Sequence, residues 1–356
     1  GTDPRPFSAS LRLCVTSGAV RPCRLPSSLP FFASSHLCAF ALNPFAVAVT
    51  DHRPSLATRA PLCYNSRTMD ILVFCFCALL FGACVGSFLN VVIIRIPKEE
   101  SLWRRMSHCV SCDTPIAAYD NIPILSYVIL RGKCRHCGAR FSAQYAIVEL
   151  ITALFFAVTC YFRLEGLVGH LVAGDVVTND MVLQAVIPWL GDVSLLSLLL
   201  AMTWIDAEHF IIPLHITATG FIIGLALLLV WPPFRGVDTR FLAVAEAGKS
   251  LLAGAALLAV VRMVAGWVFK REALGLGDVH LMVMLAMFIN WRETLLTIFL
   301  SAVLGSIGGI AAKFAQRRKH WRFEIPYGPY IAAAAVIAYF WGPRIIEWYW
   351  ELALPR

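Results

Sequence analysis

Apolar positions in this chain come in long blocks, not in alternation. From Met69 onward, apolar stretches run at roughly 70–93, 146–162, 183–205, 211–231, 250–268, 279–291, 294–312 and 328–346. Most approach the ~20 residues that a helical span needs. A segment in lipid must satisfy its own backbone hydrogen bonds, so each stretch predicts a helix. The sixth is short and is separated from the seventh only by Asn290-Trp291-Arg292-Glu293, which suits a short span or a re-entrant helix. The pattern predicts an all-α polytopic membrane protein with about eight transmembrane helices. A small polar loop domain sits between the first two spans.

Composition agrees with that class. The chain is 59% hydrophobic and 15% charged, with a mean hydropathy of +0.72, far too apolar for an ordinary soluble domain. Its net charge of +8 is carried largely by loops beside apolar spans. No basic stripe with interleaved aromatics appears, so nucleic-acid binding is not expected. Residues 94–145 hold Arg95, Lys98, Arg104, Arg105, Arg131, Lys133, Arg135 and Arg140. The loop at 313–322 holds Lys313, Arg317, Arg318, Lys319 and Arg322. The positive-inside rule assigns both to the cytoplasm. Residues 1–68 contain no Met, Lys or Trp and are rich in Arg, Pro, Ser and Cys. They read as an upstream extension outside the ordered fold, or as a targeting peptide. The expected organisation is then an extension at 1–68, a first span at 69–93, a polar loop region at 94–145 and a membrane-embedded catalytic region at 146–356.

Two aspartates stand out against this background. Asp206 ends the third apolar block, in Thr203-Trp204-Ile205-Asp206. Asp278 opens the sixth, in Gly275-Leu276-Gly277-Asp278. An ionisable group at a membrane segment is costly and points to function. Threading eight spans through the bilayer brings both to the cytoplasmic face, at one depth. Two carboxylates in contact share one proton, the arrangement that activates water in aspartic proteases. Each aspartate taken alone reads equally well as a helix cap. Gly275 and Gly277 lack Cβ, which permits close backbone approach beside Asp278. The small residues at 305–309 suit close packing of an apolar substrate helix, or of a neighbouring span.

The polar loop carries a second constellation. Cys109-Val110-Ser111-Cys112 and Cys134-Arg135-His136-Cys137 are two C-x-x-C knuckles separated by 21 residues. That approaches the spacing of a structural Zn²⁺ site. Four thiolates fill the tetrahedral coordination of Zn²⁺ and leave no open catalytic position. His108 and His136 flank the knuckles and read as bystanders. The other cysteines from Met69 on (Cys75, Cys77, Cys84 and Cys160) lie in apolar blocks and read as small core residues.

These blocks together resemble the bacterial type IV prepilin peptidases, bifunctional leader peptidase and N-methyltransferase enzymes. The likeness covers about 280 residues from Met69. It rests on Gly86-Ser87-Phe88-Leu89-Asn90-Val91-Val92 with Arg95 and Pro97, and on Tyr119-Asp120-Asn121-Ile122-Pro123. It continues from the second knuckle through Gly138-Ala139-Arg140-Phe141-Ser142 to Val148-Glu149-Leu150. Ile205-Asp206 with Ile212-Pro213, the block ending at Asp278, and Ile325-Pro326-Tyr327-Gly328-Pro329 complete it. The resemblance implies cleavage of prepilin or pseudopilin leaders after Gly at the cytoplasmic face of the bacterial inner membrane, with Asp206 and Asp278 as the catalytic pair. It also implies methylation of the new N-terminus, usually Phe, from S-adenosylmethionine. Asn90, Arg95, Asp120 and Glu149 are polar candidates for that second activity. No dinucleotide-type G-x-G-x-x-G element follows a strand, so the methyl donor would bind in another way.

Two positions depart from the family pattern. His280 stands where the family usually has Lys, and Leu214 where it often has Asp. Three other readings remain. One is a peptidase without methyltransferase activity. Another is a G-x-G-D protease of the presenilin kind, disfavoured because the Tyr-Asp dipeptide, Tyr119-Asp120, lies in the polar loop. The third is a non-enzymatic, zinc-bearing scaffold of a secretion system.

Overall fold

A computed structural model describes residues 62–102, 108–109, 111–173, 175–269, 275–316 and 326–353. The expectations for residues 1–61 and for the basic residues 317–322 lie outside that set. Nine helices order the described chain: α1 (Leu62–Arg95), α2 (Leu125–Ile129), α3 (Gln144–Ala173), α4 (Asn179–His209), α5 (Leu214–Val230), α6 (Arg240–Phe269), α7 (Leu276–Leu285), α8 (Trp291–Gln316) and α9 (Gly328–Ala353). Among the described residues there is no strand beyond two isolated bridges in the polar loop.

Among the described residues, six helical segments are long and apolar enough to cross a membrane: Ile71–Lys98, Gln144–Leu171, Asn179–His209, Pro232–Val264, Trp291–Ala312 and Gly328–Ala353. The protein is a multi-pass membrane protein. The two remaining blocks form the shorter apolar helices Leu214–Val230 and Leu276–Leu285. Several helices outrun their apolar blocks. α3 continues to Ala173, α6 starts at Arg240, and α1 begins at Leu62, ahead of Met69. Polar residues at the ends keep the helix because its hydrogen bonds are internal, whatever the side chain.

Helix α7 has 10 residues, about 15 Å at 1.5 Å per residue, half the ~30 Å hydrocarbon core. Its C-terminal carbonyls therefore end inside the bundle and need donors. The N–H groups of Ala286, Met287, Phe288 and Ile289 return to Met282, Met284 and Leu285, and the C-cap carbonyl of Ala286 is served by Arg235, in the turn after α5. The Arg235 guanidinium donates to Ala286 O, to Asn290 Oδ1 at 3.0 Å and to Ser250 Oγ at 3.4 Å.

The main core gathers around α4, α5 and α7, with α6, α8 and α9 outside them. Helix α1 packs along α3, and both meet α4. A second polar fixture lies inside the bundle. Arg163 of α3 donates to Asp192 of α4 through Nε at 2.7 Å and NH2 at 2.9 Å. Tyr339 Oη of α9 donates to the same carboxylate at 2.7 Å, and Asp192 is 0% exposed. Three helices are thus clasped by one saturated carboxylate. The small residues of α8 already have a partner: Gly305 receives the ring of Tyr327, just before α9, and Gly308 that of Tyr330 in α9.

Candidate active site and metal centre

Asp206 lies in the last turn of α4, which ends as Phe210 turns left-handed (φ 57°) with its N–H on Asp206 O. It does not cap α5, whose N-cap is Pro213. The side chain is buried, at 6% exposure. Its Oδ2 accepts a 2.8 Å hydrogen bond from the backbone N–H of Gly328. Gly328 opens α9, so that N–H has no partner within its own helix and is free to hold a carboxylate. A Cβ on Gly328 would stand 2.7 Å from Asp206 Oδ2. Only glycine admits this approach.

Asp278 sits in the first turn of α7 and is buried, at 7% exposure. Its Oδ2 accepts from the backbone N–H of Gly275 at 3.2 Å. The helix-cap reading therefore holds for Asp278, alongside anything else it does. Gly277 abuts Ile212, just after α4, where an added Cβ would meet Ile212 Cβ at 2.8 Å. That contact seats the α7 N-terminus against the segment that follows Asp206.

The fold places both aspartates at one end of the bundle, since Gly277, beside Asp278, abuts Ile212, six residues after Asp206. Tyr327 precedes Gly328, whose N–H holds Asp206. The Tyr327 hydroxyl is 2.8 Å from Ser301 Oγ. Among the described residues neither carboxylate has an ion-pair partner. The polar loop emerges at the same end, since Gln144, which opens α3, lies beside Trp204 and Glu208 of α4.

In that loop the four knuckle cysteines come together. Their sulfurs all lie within 4.8 Å of one another, and Cys109 Sγ is 3.8 Å from Cys137 Sγ. Four sulfurs at Zn–S ~2.3 Å in a tetrahedron stand about 3.8 Å apart, so the set fits Zn²⁺ with small adjustments. All four are free thiols. The knuckles share one backbone plan. Asp113 N bonds Cys109 O and Gly138 N bonds Cys134 O, at 2.8 and 3.0 Å. Asp113 and Gly138 both take left-handed backbones, at φ 54° and 71°. Cys109 N and Cys134 N return to Thr114 O and Ala139 O. Hydrogen bonds from Thr114 bring the Cys112 thiol down to about 6, and backbone N–H groups of Cys137 and His136 lower Cys134. Both shifts favour the thiolate that a metal requires, whereas Cys137, partly desolvated and crowded by the other three thiols, is pushed up to about 11.

Comparison with known proteins identifies the family of the chain. Residues 80–163 match the bacterial peptidase A24 N-terminal domain, and residues 193–310 match the type IV leader peptidase family. A protein of Aeromonas hydrophila named prepilin leader peptidase/N-methyltransferase is 31% identical over 301 residues, 76% of this chain and 91% of its own length. A Pseudomonas aeruginosa protein of the same name is 32% identical over 309 residues, 79% of this chain and 95% of its own. The chain belongs to the type IV leader peptidase family. A further relative of that name, from Myxococcus xanthus, is 38% identical over 249 residues. The match takes in 69% of this chain and spans 65% of that relative's length. No solved structure matches. Membership in a peptidase family makes the chain an enzyme and sets the scaffold reading aside.

The leader-peptidase N-terminal domain contains the four remaining candidates, and the structure splits them. Asn90 (α1) and Glu149 (α3) both lie on the α1–α3 contact, Asn90 against Tyr145 and Glu149 against Gly86. Asn90 Nδ2 donates to Tyr145 O at 2.9 Å, while its Oδ1 is buried without a partner. Glu149 Oε2 accepts from Ile124 N at 2.7 Å. Arg95 instead ties down the end of α1 by donating to Ser101 O and Leu102 O. Asp120 is held by a two-pronged pair with Arg135, at 2.8 and 2.5 Å, inside the Cys loop. Arg135 lowers the Asp120 carboxyl below its ordinary range. That pair also closes the presenilin-type reading of Tyr119-Asp120, because Asp120 is a loop fastener. Sequence reasoning missed Gly328, Ile212, Arg163, Asp192, Tyr339 and Arg235. The signals for them were Gly328 and Ile212 quoted within blocks, and the charged residues Arg163, Asp192 and Arg235 inside or beside apolar runs; Tyr339 carried none.

Proposed function

We propose that this chain removes the leader of type IV prepilins or pseudopilins, cutting after Gly at the cytoplasmic face of the bacterial inner membrane. Asp206 and Asp278 form the catalytic dyad. The observation that carries this is a pair of buried aspartates at one end of the bundle, each held by a glycine N–H and neither neutralised by a cation. Two such carboxylates share one proton. The ionised member takes a proton from water, whose oxygen attacks the scissile carbonyl carbon. The protonated member donates to the carbonyl oxygen. The C–N bond then breaks, and the new amine leaves with a proton returned from the dyad. The pair titrates as a unit, so the roles belong to the dyad and not to either residue. The cation-rich loop shares this end, which supports a cytoplasmic orientation.

The second step of the proposal is N-methylation of the new terminus, assigned to the region around 94–145 with the adjoining α1 and α3 faces. S-adenosylmethionine would supply the methyl group. The orphaned Asn90 Oδ1 and the Glu149 carboxylate are acceptors suited to a cationic or hydroxyl-bearing ligand there. The Cys109, Cys112, Cys134 and Cys137 set would hold a structural Zn²⁺. The test is incubation of the purified chain with a prepilin, with and without S-adenosylmethionine, read by mass spectrometry of the pilin N-terminus. The proposal expects a terminus beginning after Gly, and one added methyl only when the donor is present. Cleavage without the methyl group would leave a peptidase alone, and no cleavage would overturn the reading.

A further inference from the structure

The polar loop presents an apolar face that the proposed chemistry does not use. Helix α2 and its approach expose Ile122 at 46%, Leu125 at 51%, Val128 at 64% and Ile129 at 64%. Leu125, Val128 and Ile129 stand at i, i+3 and i+4, so they share one side of the helix. Ser126 points inward, buried, with its hydroxyl on Tyr119 O at 3.2 Å. The loop has thus turned its polar residue in and its large apolar residues out, the reverse of a water-facing segment.

Its height relative to the bundle is fixed by one hydrogen bond. Ile124 N donates to Glu149 Oε2 at 2.7 Å, with Ile124 in a left-handed backbone at φ 62°. Glu149 is five residues into α3, whose membrane-spanning segment begins at Gln144, roughly 7 Å along the helix. The apolar face therefore lies beside the first turns of that span. It flanks a helix whose Ile147 and Leu150 are 43% and 48% exposed on the lipid side. Directly after α2 come Arg131 and Lys133, both exposed and without an ion-pair partner among the described residues. Apolar groups followed by unpaired cations are the arrangement of an interfacial membrane anchor.

We propose that residues 122–133 form a membrane foot. Leu125, Val128 and Ile129 enter the boundary between headgroups and acyl chains, and Arg131 and Lys133 meet anionic headgroups. The foot would pin the Cys cluster to the bilayer surface beside α3, and so fix the loop domain against the bundle end that carries Asp206.

The test places a benzophenone amino acid at Val128 in the full chain, reconstituted in nanodiscs of phosphatidylcholine with or without phosphatidylglycerol. Leu154, mid-span on α3, is the positive control, and Ser111, on the first knuckle, is the water-facing control. The proposal expects a phospholipid adduct at Val128 and Leu154 and none at Ser111. It also expects Arg131→Gln with Lys133→Gln to abolish any preference for phosphatidylglycerol in the Val128 adduct. Absence of a lipid adduct at Val128 while Leu154 gives one would overturn it. So would an adduct at Val128 to a second copy of the chain or to co-reconstituted prepilin, which would make the face a protein-docking surface.

Discussion

Replacing Gly328 by Ala tests the seating of Asp206 most sharply. The new methyl would stand 2.7 Å from Asp206 Oδ2, 3.1 Å from its Cγ and 3.2 Å from its Cβ. Ordinary contacts to carbon begin near 3.5 Å, so either the carboxylate or the start of α9 must move by several tenths of an ångström. Movement lengthens the 2.8 Å bond from Gly328 N. A hydrogen bond to a charged group contributes about 1.5–3 kcal/mol, which at 1.36 kcal/mol per decade corresponds to roughly 10- to 150-fold in rate. Misplacing a catalytic group by about 1 Å costs a similar ~10²-fold. The assay is prepilin cleavage in proteoliposomes, with kcat and KM determined separately. The expected result is a 10- to 150-fold fall in kcat with KM little changed, because the substrate-binding surface is untouched. Gly342→Ala is the matched control. Its Cβ would press on Glu293 Cγ at 2.8 Å, stressing the α8–α9 contact without touching Asp206. Wild-type kcat in Gly328→Ala, or an equal loss in Gly342→Ala, would refute the idea that Gly328 positions the dyad.

Other outcomes follow from the same geometry. Gly277→Ala should lower cleavage about tenfold by pushing α7 off Ile212, and Ile212→Gly in the same chain, which removes the Cβ that the new methyl would meet at 2.8 Å, should restore it; failure of that rescue would show that the contact does not seat Asp278. Asp192→Leu should cost about 3–5 kcal/mol by stranding the Arg163 guanidinium, seen as a lower unfolding midpoint in detergent. The double change with Arg163→Met should recover much of that loss. Metal analysis of the purified chain should find one Zn²⁺ per chain, and Cys112→Ser with Cys137→Ser should remove it and increase protease sensitivity of the 108–143 loop. Arg235→Met should lower thermal stability and, by loosening the buried end of α7, reduce kcat more than it raises KM.

Much of this architecture was legible in the chain. Block length fixed the helical class, because lipid leaves a backbone few alternatives. The knuckle spacing brought Cys109, Cys112, Cys134 and Cys137 together, since two tight turns can converge on one tetrahedral centre. Counting spans set Asp206 and Asp278 at one end, as the fold does. Contacts between distant segments were not legible. Asp192 looks like a lone charge in an apolar run, and its partners Arg163 and Tyr339 are 29 and 147 residues away. Gly328 holds Asp206 across 122 residues, and nothing local marks that carbonyl-free N–H as a carboxylate donor. Hydropathy does not distinguish a span from a re-entrant helix for the short α7, because it reports composition, not where a helix ends. The last carbonyl of α7, on Ala286, meets Arg235, which arrives from another loop.

The central claim is that Asp206 and Asp278 act as one catalytic pair. Its most direct test is co-expression of the full chain with a prepilin, comparing wild type with Asp206→Asn and Asp278→Asn by mass spectrometry of the pilin N-terminus. Asparagine keeps the shape and removes the shared proton chemistry. The account predicts leader removal by wild type and intact leader in both variants, each still folded and inserted in the membrane. Leader removal persisting in either variant would contradict it.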